Sequence, residues 1–355
     1  MIYLDYQATT PLAPEAFDAM LPWLRDGHAN PHSAHAPGRA AKAAVEVARG
    51  QIMKLLPTGQ LAFTSGATEA LNWAIKGTEG PIVTIATEHA AVLDTVAAEA
   101  ARGRAVTVLP VDTQGLVDLD AARTAIVPGT GLVAAMLVNN EIGVIQPIAE
   151  LGRLAKAAGA KLLVDAVQGF GRVAVPEADF IALSAHKIHG PKGIGALWFR
   201  RAPPAALLHG GAQEPERSGT LSPALCAGFG AAAKLAGDRF GEDAAHVERL
   251  FGIARQALGP GWAINGSVEQ RYRGNLNLRR PGLDVARLMS ELRDIAFSAG
   301  SACASGSGRP SHVLRALGLS DAQARASIRL GFGRYTTREE LMTAIDRINA
   351  AARAQ

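Results

Sequence analysis

Short apolar runs and amphipathic stretches take turns along the first two thirds of the chain. Leu61-Ala-Phe-Thr64 has the size and character of a strand, and Gly66 to Lys76, stopped at Gly77, spaces its apolar positions like a helix. Further strand-like runs follow at Ile82–Ala86, Ala105–Leu109, Leu132–Val138, Lys161–Asp165, Phe180–Leu183 and Ile194–Phe199. Helical patterns over Ala90–Arg102, Leu119–Ala125 and Ala149–Ala158 separate several of them. This alternation predicts an α/β fold with a mostly parallel sheet between helices. In such sheets ligands bind beyond the carboxyl ends of the strands, so residues just after each run are the first candidates for chemistry.

From about Ala231 the pattern changes. Helical stretches dominate (Ala231–Leu258, Asp284–Arg293), then a Gly/Ser-rich loop, Ser298–Gly308, leads into a helix with Pro310 in its first turn and Gly318 past its end. These shifts predict a domain boundary near residue 235. The expected division is a short segment, 1–15, packing on the smaller domain, a large domain over 16–235, and a smaller α+β domain over 236–355. A length of 355 residues agrees with two domains.

Composition narrows the class. Apolar residues make up 48% of the chain and charged residues 19%, which excludes a disordered or collagen-like protein. No apolar run approaches the ~18 residues needed to cross a bilayer, and the first residues do not read as a secretory signal. A cytoplasmic setting and no membrane partner are therefore expected. The net charge is +4, with the arginines scattered, so a nucleic-acid stripe is not expected. Two cysteines, Cys226 and Cys303, do not make a disulfide framework and suit a reducing compartment.

Four segments could carry chemistry. In Phe63-Thr-Ser-Gly-Ala-Thr-Glu69, a strand runs into a helix, where free N–H groups can hold an anion; an ordinary helix cap would look the same. Asp165 leaves a buried strand, with Gln168 three residues on. A carboxylate there needs a cation, such as a protonated pyridine nitrogen, unless it merely caps a helix. Lys187, in Ser184-Ala-His-Lys-Ile-His-Gly-Pro-Lys-Gly193, follows another strand, where a lysine can form a Schiff base with an aldehyde. Ser184 and His186 could hold an anion beside it, and Lys192 is the competing lysine. Cys303 sits among small residues in Ser298–Gly308, the setting of an accessible nucleophilic thiol, whereas Cys226 lies in an apolar element. His89, shortly after a strand, could stack on a ring or move protons. His28, His32 and His35 lack metal-ligand spacing, so no metal site is expected.

Together these segments resemble the cysteine desulfurases of the NifS/IscS type, pyridoxal-phosphate enzymes related to the class V aminotransferases. The resemblance runs through Tyr3-Leu-Asp-Tyr-Gln-Ala-Thr-Thr-Pro11, Asn30-Pro-His-Ser33, Phe63 to Glu69, Thr87-Glu-His89 and Asn139-Asn-Glu-Ile-Gly143. It continues through Asp165 with Gln168, Ser184 to Gly195, Arg217-Ser-Gly-Thr220, Gly300-Ser-Ala-Cys303, Pro310-Ser-His-Val-Leu-Arg315 and Ser327-Ile-Arg329.

The resemblance implies the fold of type I pyridoxal-phosphate transferases and assigns roles. Lys187 would bond covalently to the cofactor's aldehyde and later move the substrate's Cα proton. Asp165 would face the pyridine nitrogen, Gln168 the phenolic oxygen, and His89 would stack on the ring. Ala67, Thr68, Ser184 and His186 would hold the phosphate, with Thr220 supplied by a second subunit of a homodimer. Asn140 and Arg329 would bind L-cysteine, since the guanidinium fork matches a carboxylate. Cys303 would take the sulfur as a persulfide for transfer to an iron–sulfur scaffold or another carrier protein, and the same thiol would be the transient iron–sulfur ligand.

This chain departs from the family pattern in three ways. Gly210 to Thr220 is one residue shorter, Ala304 stands where a hydroxyl residue often follows the cysteine, and the chain ends soon after Gly333-Arg-Tyr-Thr-Thr337. Docking through an IscS-type C-terminal extension is therefore not expected. A selenocysteine lyase or another class V aminotransferase would share Lys187 and Asp165 but need no loop thiol. A catalytically silent scaffold would bind no cofactor.

Overall fold

The computed structural model describes residues 1–300 and 310–355. The first strand, β1 (Ile2–Tyr3), belongs to the far end of the chain and is taken up below. The strands that follow build the main sheet: β2 (Gln60–Thr64), β3 (Ile82–Ile85), β4 (Val106–Leu109), β5 (Leu132–Met136), β6 (Lys161–Asp165), β7 (Phe180–Ser184) and β8 (Gly195–Phe199). Their order is β2-β8-β7-β6-β5-β3-β4. β8 runs antiparallel to both neighbours, and the other pairs are parallel. Strands β5 (Leu-Val-Ala-Ala-Met) and β7 (Phe-Ile-Ala-Leu-Ser) are buried at every position. That is why they read as continuous apolar runs: helices cover both faces of the sheet.

Two helices lie where the sequence pattern predicted no element, Pro14–Arg25 and Ala36–Met53. The second buries Gly38, Ala41, Val45, Ala48 and Ile52, a stripe of mostly small side chains. It packs on the helix Pro223–Asp238 so closely that a Cβ on Gly230 would stand 2.6 Å from the Cα of Ala48. Small residues on both faces permit this approach, and they carry too little hydrophobic contrast to show in a periodicity search.

The apolar stretch predicted as one helical region from Ala231 is two helices, Pro223–Asp238 and Phe240–Ala257. They break at Arg239, whose φ of −105° and ψ of 9° lie off the helical values. Beyond them come β9 (Ala263–Ile264), β10 (Asn275–Arg279), β11 (Ile295–Ala296), β12 (Ser298–Ala299) and β13 (Ser327–Gly331). A second sheet runs β12-β13-β10-β9, and β1 pairs in parallel with β11. Ser298 and Ala299, expected in the small-residue loop, are thus strand residues, with Ser298 opposite Arg329. Pro310 lies ahead of its helix: the element is His312–Ala316, with Ser311 as the capping residue.

Burial is divided. One apolar cluster runs from Ala13 to Ala233 on one face of the main sheet. Another collects Leu4 with residues between Leu250 and Ala352. The residue just after β1, Leu4, is therefore buried in the core made mostly by the last hundred residues.

Candidate active site

The parallel strands end on one side of the main sheet, and the sequence places polar residues there. Thr64 ends β2, Asp165 ends β6 and Ser184 ends β7. Beyond these ends lies a cavity of about 490 Å³, within the range of small-molecule sites. Ala67, Thr68, His89, Asn140, Asp165, Gln168, Ser184, His186, Lys187 and Arg329 all line it. Thr220 does not; it is exposed on its own chain. Cys303 lies outside the described residues.

Lys187 stands in a single 3-10 turn, Ala185–Lys187, directly after β7. Its Nζ donates to the carbonyl oxygens of Gln7 (2.6 Å) and Ala8 (2.8 Å). The N-terminal segment therefore closes over the lysine, about 180 positions away in sequence. Nothing local in the sequence announces that contact, because main-chain carbonyls such as those of Gln7 and Ala8 are offered by any residue type.

Asp165 is 5% exposed, and its Oδ1 accepts from the N–H of Val167 at 3.0 Å. Burial raises its pKa, and the Val167 N–H, His89 and Lys187 oppose that rise. No ion pair reaches Asp165 among the described residues. A buried carboxyl facing a cavity in this state fits a cationic ring nitrogen, which would relieve the desolvation cost. Behind it lies Glu88, which was missed in the sequence. Its Oε1 accepts from the N–H of Met136 at 2.7 Å and its Oε2 is buried without a partner. Burial first, and the nearby Asp165 second, push its pKa well above the ordinary value.

His89 caps the helix Ala90–Ala101, its Nδ1 accepting from the N–H of Ala91 at 3.0 Å. Burial lowers its pKa, with Lys187 and His312 adding to the effect against Asp165. The neutral ring must then carry its proton on Nε2, because Nδ1 is an acceptor.

The turn after β2 offers an anion site. No side chain caps the helix Ala67–Lys76 at Gly66, so its first N–H groups remain available. Glu69 instead reaches back past the helix start and accepts from the N–H of Ser65 at 2.7 Å, the residue before Gly66. Gly66 has open space where a Cβ would be. His186 completes this end: its Nδ1 lies 3.1 Å from Thr9 Oγ1, and burial, Lys187, Lys192 and Arg172 push its pKa down to about 4. A phosphate, a ring nitrogen and an aldehyde therefore each find a matching group, and the site fits pyridoxal phosphate.

At the opposite wall stands Arg329, whose side chain is 1% exposed. Nη1 donates to Asn140 O at 3.0 Å and Nη2 to Asp5 Oδ1 at 2.7 Å, while Nε is buried without a partner. Such a guanidinium lining a cavity suits an incoming carboxylate. Asn140 lines the same wall, so the pair expected to bind substrate is brought together.

The described chain matches known proteins over nearly its whole length. Residues 2–343 match the family model for class-V aminotransferases. The cysteine desulfurase IscS of Rickettsia bellii is 43% identical over 365 aligned positions, covering 97% of this chain and 89% of that protein. A solved NifS-like protein superposes with a TM-score of 0.93 and 32% identity, covering all of both chains. SspA, solved in complex with cysteine, superposes with a TM-score of 0.85 and 32% identity, covering 95% of this chain and all of that one. The chain belongs to the class-V aminotransferase family, whose fold is the type I pyridoxal-phosphate transferase fold. Within it, the similarity is to cysteine desulfurases of the NifS/IscS kind.

Proposed function

We infer that the chain is a pyridoxal-phosphate-dependent cysteine desulfurase that takes sulfur from L-cysteine, leaves L-alanine, and carries the sulfur as a persulfide on Cys303. The observation that carries this is one cavity joining Lys187, Asp165 and an uncapped helix start to Arg329. Pyridoxal phosphate, when bound, supplies the electron sink that makes the Cα proton of an amino acid removable.

The chain's own residues do the rest. Arg329 and Asn140 bind the carboxylate of L-cysteine and fix which Cα bond faces Lys187. Lys187 Nζ takes that proton. Asp165 holds the ring nitrogen, Gln168 the phenolic oxygen, and neutral His89 covers the ring. Ala67, Thr68, Ser184 and His186 hold the phosphate. The Cys303 thiolate attacks the substrate sulfur: an S–S bond forms as the C–S bond breaks, the electron pair of that bond stays with the three-carbon remainder, and a proton added at Cβ together with the Cα proton returned by Lys187 releases it as alanine.

We further propose a homodimer in which Thr220 of one subunit completes the phosphate site of the other. Phe17, Leu21 and Leu24 support it: they are 47%, 39% and 61% exposed on one face of the helix Pro14–Arg25. So apolar a stripe is ordinarily covered. Thr220 is exposed outside its own chain's cavity, and Arg217, bonded to Glu69 of the same chain at 2.8 Å, fixes the segment that would present it to the partner. We propose as well that the chain divides into a short segment, 1–15, that packs on the smaller domain, a large cofactor-binding domain, 16–235, and a smaller domain, 236–355, with Leu4 among the buried residues of the latter's core. The sulfur acceptor is proposed to be an iron–sulfur scaffold or another carrier protein, in a reducing cytoplasm. No helix among the described residues is long and apolar enough to cross a membrane.

Mass spectrometry after incubation with L-cysteine tests the function. One added sulfur on the Cys303 peptide is expected, and alanine in step with it. Alanine without modified Cys303, or turnover untouched by Cys303→Ala, would sink the proposal. Cys226 should stay unmodified, because it is fully buried and burial pushes its thiol up to about 12.

A further inference from the structure

Taking Gln168 to meet the phenolic oxygen of pyridoxal phosphate, as proposed above, we propose that Arg172 is the positioning residue that fixes the Gln168 amide in its donating orientation. Arg172 Nη1 donates to Gln168 Oε1 at 2.8 Å. A guanidinium has donors and no acceptor, so the amide oxygen must face Arg172 and the amide nitrogen must face away. One hydrogen of that nitrogen goes to the carbonyl of Gln7 at 2.9 Å. The amide carries a second hydrogen, and Gln168 lines the cavity. Arg172 at the amide oxygen and the Gln7 carbonyl at the amide nitrogen together distinguish the two ends of the amide. Arg172 is the charged half of that pair, and losing it weakens the bias against a flipped amide that would turn an acceptor toward an anionic oxygen.

The same guanidinium holds a second site element. Its Nη2 donates to the main-chain carbonyl of Lys187. Arg172 therefore ties the turn after β6 to the turn after β7, and fixes Gln168 relative to the lysine. Its plane lies over Tyr272, with 5.2 Å from Cζ to the ring centroid, which limits how the guanidinium can swing. Gly171, at φ +69°, makes the tight turn that brings Arg172 back under Gln168. Arg172 forms no ion pair among the described residues, so no carboxylate cancels its charge. The positive field it adds falls on the side of the cavity where His186 and Lys187 lie.

Arg172→Met in the holoenzyme tests the idea, because methionine keeps the bulk and loses donors and charge. The readout is the pH midpoint of the cofactor's visible absorption band, which a merely structural brace would not move. We expect it to rise by about 0.5–1 pH unit, since both a lost donor and a lost cation disfavour the phenolic anion. kcat should fall about tenfold with KM for L-cysteine within about twofold. In a Gln168→Leu background, Arg172→Met should shift the midpoint clearly less than it does in the parent, leaving only the part due to the lost charge. An unmoved midpoint, or additive shifts in the double variant, overturns the proposal. Should Arg172→Met fail to fold, Arg172→Gln, which keeps one donor, carries the same comparison with a smaller expected rise. An absent visible band in the parent protein would strike the cofactor reading instead, so the two failures are distinguishable.

Discussion

Asp5 and Arg329 meet at 2.7 Å, Nη2 to Oδ1, although 324 positions separate them. Ser298 Oγ donates to the same oxygen at 2.8 Å. Asp5 thus fixes the guanidinium that faces the cavity, and the base of the segment leading to Cys303. Replacing Arg329 by Lys keeps the charge and loses the fork. We expect KM for L-cysteine to rise about 10–100-fold. Asp5→Ala leaves Arg329 in place chemically but unanchored, and should raise KM about 3–10-fold, since Asp5 acts on the substrate only through the orientation of Arg329 and only part of the ~1.5–3 kcal/mol of a charged hydrogen bond is lost from binding. Steady-state kinetics on both variants checks this; a normal KM in Arg329→Lys removes Arg329 from substrate binding.

The strands of the main sheet, and the residues at their ends, could be read from the chain because both signals are local. Phe180–Leu183 is apolar at every position since both faces are covered, and Lys187 follows at once. Asp5, Gln7 and Arg172 left no such mark. Each acts across a gap in sequence or through main-chain carbonyls, which any residue type offers. Glu88 hid in another way: it sits beside His89, the histidine that drew attention, yet its own carboxyl points back into the protein toward Met136. The Ala/Gly-lined helix Ala36–Met53 escaped because its buried face is small rather than strongly apolar.

Glu88 yields a prediction about pH. Its folded pKa is raised, by burial and by Asp165. Above the unfolded value of 4.5 the unfolded chain has lost this proton while the folded one retains it. Stability from this group is therefore full below that value and lost as pH rises toward the folded pKa. Glu88→Gln cannot ionise. It should match the parent near pH 5 and become the more stable of the two as pH rises to 9. Glu88→Ala leaves the Met136 N–H buried and unpaired, at a cost of about 1–3 kcal/mol. Thermal unfolding of the three proteins across that range decides the matter. A parallel pH dependence in parent and Glu88→Gln would show Glu88 to be ionised in the fold.

His189 acts in the opposite direction. It is 6% exposed, its Nδ1–H donates to Pro11 O at 2.9 Å, and burial with Arg334 pushes its pKa down to about 3. Between the ordinary value of 6.5 and about 3 the unfolded chain binds a proton that the folded chain refuses. Stability from this group is complete above 6.5 and lost as pH falls through that window, by an amount on the order of a few kcal/mol. His189 has φ +68°, so asparagine, which tolerates that region, is the suitable replacement. His189→Asn should flatten the acid limb of the stability curve. An unchanged limb would assign acid unfolding to other groups.

Gly195 shows how packing, and not a polar contact, sets the shape of the phosphate site. It opens β8 and lies opposite Thr64 of β2 on one side and Ser184 of β7 on the other. A Cβ there would stand 2.4 Å from Leu183 O, 2.7 Å from the carbonyl carbon of Gly66 and 2.8 Å from its Cα. All three are main-chain atoms, so relief requires moving the turn that opens the helix Ala67–Lys76. Gly195→Ala should cost about 1–3 kcal/mol of stability, the usual range for overpacking, and weaken cofactor retention because that turn is displaced. Gly66→Ala is the contrasting case: its Cβ would meet nothing within 4 Å in the protein and would extend into space at the cavity. It should leave the cofactor-free protein within ~0.5 kcal/mol of the parent while still lowering affinity for pyridoxal phosphate. Unfolding curves with and without added pyridoxal phosphate separate the two effects, since a bound ligand raises stability only where the folded site accepts it. If Gly66→Ala bound the cofactor as the parent does, the phosphate would have to sit elsewhere than at this helix start.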